Sequence, residues 1–135
     1  MSLFTARLPQ APSNWSKAWA DSSFSMIELL MSQINEKVDL TTTSVTVLYT
    51  APAAKTAVFK SILVSEDSGN ADTITVTITN AAAAVFSLFK VKAVAANTTI
   101  ELLTQPLVVE TGEIIKLTAA TANRLHVVAS YMEIS

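Results

Sequence analysis

The chain contains no cysteine. Disulfide scaffolds, thiol catalysis and cysteine-ligated zinc are thereby excluded, and cysteine usage says nothing about redox compartment. The single histidine, His126, rules out a His–His metal motif. Glycine occurs only twice, at Gly69 and Gly112, too rarely for a phosphate-cradling loop. Charge is scarce too: 9 basic and 11 acidic residues make up 15 % of the chain and leave a net charge of -2. A nucleic-acid binder would carry a basic surplus or stripe, so no nucleic-acid partner is expected. No run approaches the roughly 18 apolar residues of a spanning helix, and no apolar stretch of signal-peptide length follows Arg7. No membrane partner is expected. The chain is expected to be intracellular, or carried outside within an assembly.

What is present points to a folded β protein. Half of the 135 residues are hydrophobic, too many for a disordered chain, and the length fits one domain plus an extension. Alanine and threonine are abundant, and threonine is a strand former whose polar end suits a solvated sheet face.

The pattern changes near Leu40, dividing the chain into an N-terminal segment (1–40) and a β-domain (41–135). In residues 1–13, Pro9 and Pro12 fix an extended path and remove two backbone donors. This arm has no core of its own, so Leu3, Phe4 and Leu8 need something to dock on. Ser13 or Asn14 can cap an α-helix that starts near Trp15 and runs to about Asp39. Phe24, Ile27, Met31, Ile34 and Val38 are spaced 3, 4, 3 and 4 apart, a heptad seam over about two heptads. Asp21-Ser22-Ser23 is a weak helix interior, where the helix could divide in two. Two uses of the seam remain open. It packs on its own β-domain, or it pairs with copies of itself as a short trimer. Two heptads alone are marginal, so the trimer needs support from the β-domain. Trp15 and Trp19 lie four apart on one helix face. They staple the helix to the sheet or anchor the chain on a partner, and the two-proline arm beside them favours the anchor.

From Thr41 the hydrophobic period becomes two. Candidate strands are Val45–Thr50, Thr56–Ser65, Thr73–Thr79, Val85–Val94, Thr98–Leu103, Leu107–Glu110, Gly112–Ala119 and Arg124–Ile134. This predicts a mainly β protein, a single antiparallel β-sandwich or jelly-roll-like domain of seven to eight strands behind the arm and helix. An up-and-down barrel is the rival. In the stretch Thr73–Thr79, Ile74, Val76 and Ile78 should face inward and the threonines outward. The stretch Thr56–Ser65 reads as buried on both faces. Alanine clusters at Ala53-Ala54, Ala81–Ala83 and Ala119–Ala122 mark turns, unusual ones with so little glycine. Phe86 and Phe89 have opposite parity, so one faces out or the strand bulges. With Lys90 and Lys92 they form a contact patch or a protected edge.

Catalytic constellations are weak. Glu66, Asp67, Asn70 and Asp72 offer hard oxygen ligands but lack the register of a calcium loop, and a solvated hairpin is the expectation. His126 reads as a surface or interface histidine on a strand. Glu101, Glu110, Glu113 and Glu133 are the carboxylates of the β-domain that could pair for hydrolysis, but Glu110 and Glu113 flank an ordinary turn. The expectation is a non-enzyme with no catalytic residue, cofactor or metal.

The stretch Thr41–Ile78 resembles a small β-domain of structural proteins in tailed bacteriophages. The resemblance rests on the Thr-rich lead Thr41–Thr43, the turn Tyr49–Pro52, the strand opening Lys55-Thr56 and the alternating Thr73–Ile78. Leu107–Glu113 and Ser130–Ile134 fit as well. Ala6–Pro12 and the following helix are similar to N-terminal segments of short phage virion proteins. The resemblance implies a virion protein assembled in the host cytoplasm, of the capsid-decoration (cement) type or a tail or neck appendage. It implies attachment to major capsid or tail proteins through Leu3, Phe4, Leu8, Trp15 and Trp19. Self-association, as a homotrimer, would use Phe24, Ile27, Met31, Ile34 and Val38. A receptor- or carbohydrate-binding module is the competing reading, and it would need exposed aromatics around a groove.

Overall fold

A computed structural model describes residues 31–135; residues 1–30, and with them Leu3, Phe4, Leu8, Trp15, Trp19, Phe24 and Ile27, lie outside the described residues. The described chain forms nine strands: β1 (Met31–Leu40), β2 (Thr46–Thr50), β3 (Thr56–Glu66), β4 (Asp72–Thr79), β5 (Val85–Val94), β6 (Thr98–Glu101), β7 (Leu107–Val109), β8 (Ile114–Ala119) and β9 (Leu125–Ile134). Eight of them match the stretches where the apolar period is two. Val85–Val94 is matched at both ends.

The pairing follows a folded-back ribbon. β4 pairs with β5, β3 with β6 and β7, β2 with β8, and β1 with β9, all antiparallel. Winding this ribbon brings β9 beside β3 and β8 beside β4. Two sheets result: one of five strands in the order β1-β9-β3-β6 with β7 also on β3, and one of four in the order β2-β8-β4-β5. Both contribute to one core that includes Leu40, Phe59, Ile62, Val64, Ile74, Val76, Ile115, Leu117, Leu125 and Val127, each fully buried. Burying side chains of this size contributes roughly 1.5–3 kcal/mol each.

The first correction concerns Met31–Leu40, which is a strand and not the end of a helix. It pairs with β9 over ten consecutive residues without a shift, from Met31 opposite Ile134 to Leu40 opposite Leu125. Ile34, Glu36, Val38 and Leu40 face the core side, whereas Met31 lies on the exposed face. Met31, Ile34 and Val38 therefore do not form a seam. A four-residue spacing such as Ile34 to Val38 satisfies both a helical and a two-residue period. The ladder offered by β9 decides between them, since it satisfies the backbone and buries Leu40.

The second correction concerns β3. Ala57 and Phe59 are buried, then Ile62, Val64 and Glu66, a change of parity. The register against β9 shifts between Phe59 and Ser61. A bulge at Lys60 thus turns both sets of side chains to one core. The opposite face carries Val58, half-buried, and Leu63, exposed, so the strand is buried on one face only.

The ribbon has two distinguishable ends. At one, Met31 pairs with Ile134, and Thr79 and Thr50 both meet Ile114. The connections 51–55, 80–84 and 110–113 gather there, tied by Gly112 N–H to Ala51 C=O at 3.0 Å and Ala51 N–H to Glu113 C=O at 2.9 Å. At the other, Leu40 and Glu66 both pair with Leu125, and Asp72 pairs with Val94. The connections 41–45, 67–71, 95–97 and 120–124 meet at this distal end.

Candidate functional site

The distal loops are held by buried or half-buried carboxylates. Glu66 is 1 % exposed. Its Oε2 accepts the Ser68 hydroxyl and the Ser68 N–H, the latter at 2.8 Å, and its Oε1 accepts the Asn97 N–H at 3.0 Å. These donors, the Ser68 hydroxyl foremost, hold the carboxyl down at about 2, against the opposing effect of burial. Asp72 Oδ2 accepts the Thr121 N–H at 3.1 Å, and Arg124 donates to the Ala71 carbonyl at 2.9 Å. Asn123 N–H closes onto the Leu40 carbonyl at 2.9 Å. The connections 67–71, 95–97 and 120–124 and the end of β1 are thereby joined into one surface.

His126 lies on the outer face of β9 within this surface. Its Nδ1 is 3.3 Å from Asp39 Oδ1 and its Nε2 is 3.2 Å from Asp67 Oδ1. It ties the end of β1 to the 67–71 loop, as expected of a surface histidine on a strand. The acidic residues of that loop do not converge: Glu66 turns to Ser68 and Asn97, Asp67 to His126, and Asp72 to Thr121. Among the described residues no group of three or more His, Asp or Glu side chains is placed to hold a metal ion.

The other carboxylates serve separate parts of the fold. Glu101 accepts from the Ser61 hydroxyl, from Ile62 N–H at 2.7 Å and from Leu103 N–H at 3.1 Å. It fastens β6 to the bulge of β3. Glu113 accepts the Glu110 N–H at 2.8 Å within the 110–113 turn. Glu133 accepts the Tyr49 hydroxyl at 2.7 Å and pairs with Lys55 at 3.7 Å. Glu36, which the sequence does not single out, accepts the Tyr131 hydroxyl at 3.1 Å. Tyr49, Phe59 and Tyr131 pack together with ring centroids 4.5–5.3 Å apart. Burial first, and the glutamate partners second, push both phenols above their ordinary range. This cluster joins the two sheets. Its only sequence trace is the inward parity of Tyr49, Phe59 and Tyr131, because the partner of each hydroxyl lies on a distant strand.

The two outer strands of the four-stranded sheet differ from β1. The pairing of β5 with β4 shifts register on both sides of Val76 of β4, and β5 exposes Val85, Phe86 and Val91 beside Lys90 and Lys92. Phe89 is half-buried against the core, so both halves of the expectation for Phe86 and Phe89 hold: one ring faces out and the strand bulges. Bulges and lysines blunt an edge against strand addition.

No family model matches the chain, and no curated protein matches it. Solved structures do. One is a protein from work on Bacillus endospore appendages that form a novel family of disulfide-linked pili. It is 10 % identical, with a TM-score of 0.49, over 78 % of this chain and 88 % of that one. Another is a pentameric capsid protein isolated from metagenomic phage sequences. It is 13 % identical, with a TM-score of 0.41, over 95 % of this chain and 79 % of that one. Among the described residues no helix is long and apolar enough to cross a membrane.

Proposed function

We propose that the chain is a non-enzymatic structural protein of a tailed-phage virion, a capsid decoration protein that attaches through its N-terminal segment and displays its β body. The observation that carries this reading is the arrangement of the ribbon's ends. The N-terminal segment joins the body at Met31, the start of β1, so attachment through it falls at that end of the body. The hydrogen-bonded loop surface around Glu66 and His126 stands at the other. The strand orders β1-β9-β3-β6 and β2-β8-β4-β5 are those of a jelly roll, an architecture used by viral capsid proteins and lectins. The carboxylates Glu101, Glu113 and Glu133 are each engaged in holding the fold, which supports a structural role over hydrolysis.

In this reading Leu3, Phe4, Leu8, Trp15 and Trp19 make the attachment to major capsid proteins. A helical Phe24–Val38 seam forms no part of it. Deleting residues 1–13 from the full chain should leave the unfolding temperature of the body unchanged and abolish binding to particles that lack the protein. Retained binding would overturn the attachment assignment. Gold-labelled protein added back to such particles should mark heads, and label confined to tails would replace decoration with an appendage.

A further inference from the structure

The outer face of the five-stranded sheet carries an apolar patch at the end where the chain enters. The pairing register defines its rows. Met31, Ile134 and Thr56 stand side by side, and one row further in come Gln33, Met132, Val58 and Val108. Their neighbours in sequence, Ala57 and Tyr131 among them, face the core, so these side chains face away from it. Met31, Val108 and Ile134 are 46 %, 52 % and 37 % exposed, and Val58 and Met132 are half-buried. One polar row, Asn35, Ser130 and Ser61, bounds the patch and separates it from Val128 and the exposed Leu63. A hollow of about 270 Å³ opens beside Met132, lined by Gln33, Asn35, Lys60 and Ser130 among others. It lies at the bulge of β3, where Lys60 has no partner in β9.

From this juxtaposition we propose that residues 14–30 of the same chain cover the patch. Those residues hold Trp15, Trp19, Phe24, Ile27, Leu29 and Leu30, an apolar set with no core of its own in the sequence. They join the body at Met31, which is itself in the first row of the patch. Docking is therefore intramolecular, at an effective concentration on the order of mM. The patch is too small for a second copy, since a stable interface needs roughly 800 Å² from each partner and five side chains, two of them half-buried, offer far less. The hollow has amide and hydroxyl groups in its wall beside Met132. That suits an indole, which has an apolar body and one N–H to satisfy. This covering belongs to the isolated chain, and the virion reading requires Trp15 and Trp19 to leave the patch for the capsid on attachment.

The test uses the full chain, whose only tryptophans, Trp15 and Trp19, report on the segment alone. Their emission should be blue-shifted and independent of protein concentration. Val108→Asp and Met132→Asp should each shift it to the red and raise trypsin cleavage after Lys17 several-fold, while the unfolding temperature of the body changes little. Val108→Thr, which keeps the β-branched shape, should give a smaller shift and guards against a folding defect. Lys92→Asp, on the other sheet, should leave the emission alone. Water-like emission from the unaltered chain would overturn the proposal. So would a blue shift lost on dilution, which would indicate a second copy. A blue shift untouched by all the Val108 and Met132 variants would place the segment elsewhere and overturn it as well.

Discussion

Among the described residues five non-glycine residues stand at positive φ, and they separate two ways of making a turn. Asn97 and Asn123, at 55° and 64°, are residues that tolerate the left-handed region. Ala54 and Ala83, at 62° and 70°, occupy the place of glycine. Lys55 N–H closes the first turn onto Pro52 C=O at 3.2 Å, and Ala83 N–H closes the second onto Asn80 C=O at 2.9 Å. Alanine there costs roughly 1–2 kcal/mol, offset by the sheet pairs on either side. Val91, at 52°, is a β-branched residue in the same region, held where its N–H meets the Thr75 hydroxyl at 3.0 Å. Glu66 carries a pH dependence. Its carboxyl ionises at about 2 in the folded protein against an ordinary 4.5, so the unfolded chain takes up its proton first as pH falls. The stability it contributes is complete above about 4.5 and is lost as pH falls to about 2. Melting curves across that window should show a decline that Glu66→Gln diminishes, with the variant less stable at neutral pH. Parallel curves would remove Glu66 as the cause.

At the scale of elements, β3 depends on one extra residue. The bulge at Lys60 lets Ala57, Phe59, Ile62 and Val64 share the core, and Glu101 secures it from β6 through Ser61 and Ile62. Alternation read without the bulge puts apolar residues on both faces, which is what the sequence suggests. Glu101→Ala should therefore cost about 2 kcal/mol in denaturant unfolding, whereas Glu110→Ala should stay within about 0.5 kcal/mol. Equal effects would show that the bulge holds without Glu101. In β4, Ile74 and Val76 face inward as the alternation predicts, but Ile78 is half-buried and Thr79 is buried. Among the described residues the Thr79 hydroxyl meets no hydrogen-bond partner. Its burial follows from its place at the end of the strand, beside Ile114.

For the whole molecule, the ribbon winding sets the start of β1 and the end of β9 at one end of the body and four connections at the other. Met31 pairs with Ile134 at one end, away from the connections 41–45, 67–71, 95–97 and 120–124. Ile34 and Val38 pack against the core, so a trimer would have to form through residues 1–30 or the body's outer surfaces. We expect a trimer in light scattering of the purified full chain, as the virion resemblance implies. A monomer would remove the trimer and leave multivalency to the particle.

The sequence by itself determined the class of the fold and most strand positions, because a two-residue apolar period forces one face of each strand into a core. It also excluded thiol, His–His metal and phosphate-loop chemistry through the residues it lacks. Tertiary structure alone decided that Met31–Leu40 is a strand, since its spacing fits two periods and only β9 could choose. It also decided which way β3 turns, through a bulge that leaves no mark in composition. The partners of Glu66, Glu36, Glu101 and His126 were likewise beyond the sequence. Each has a partner 31 or more positions away in the chain, from Glu66 with Asn97 at a separation of 31 to Glu36 with Tyr131 at 95. A hydrogen bond of that kind depends on register, and register is a property of the assembled sheets.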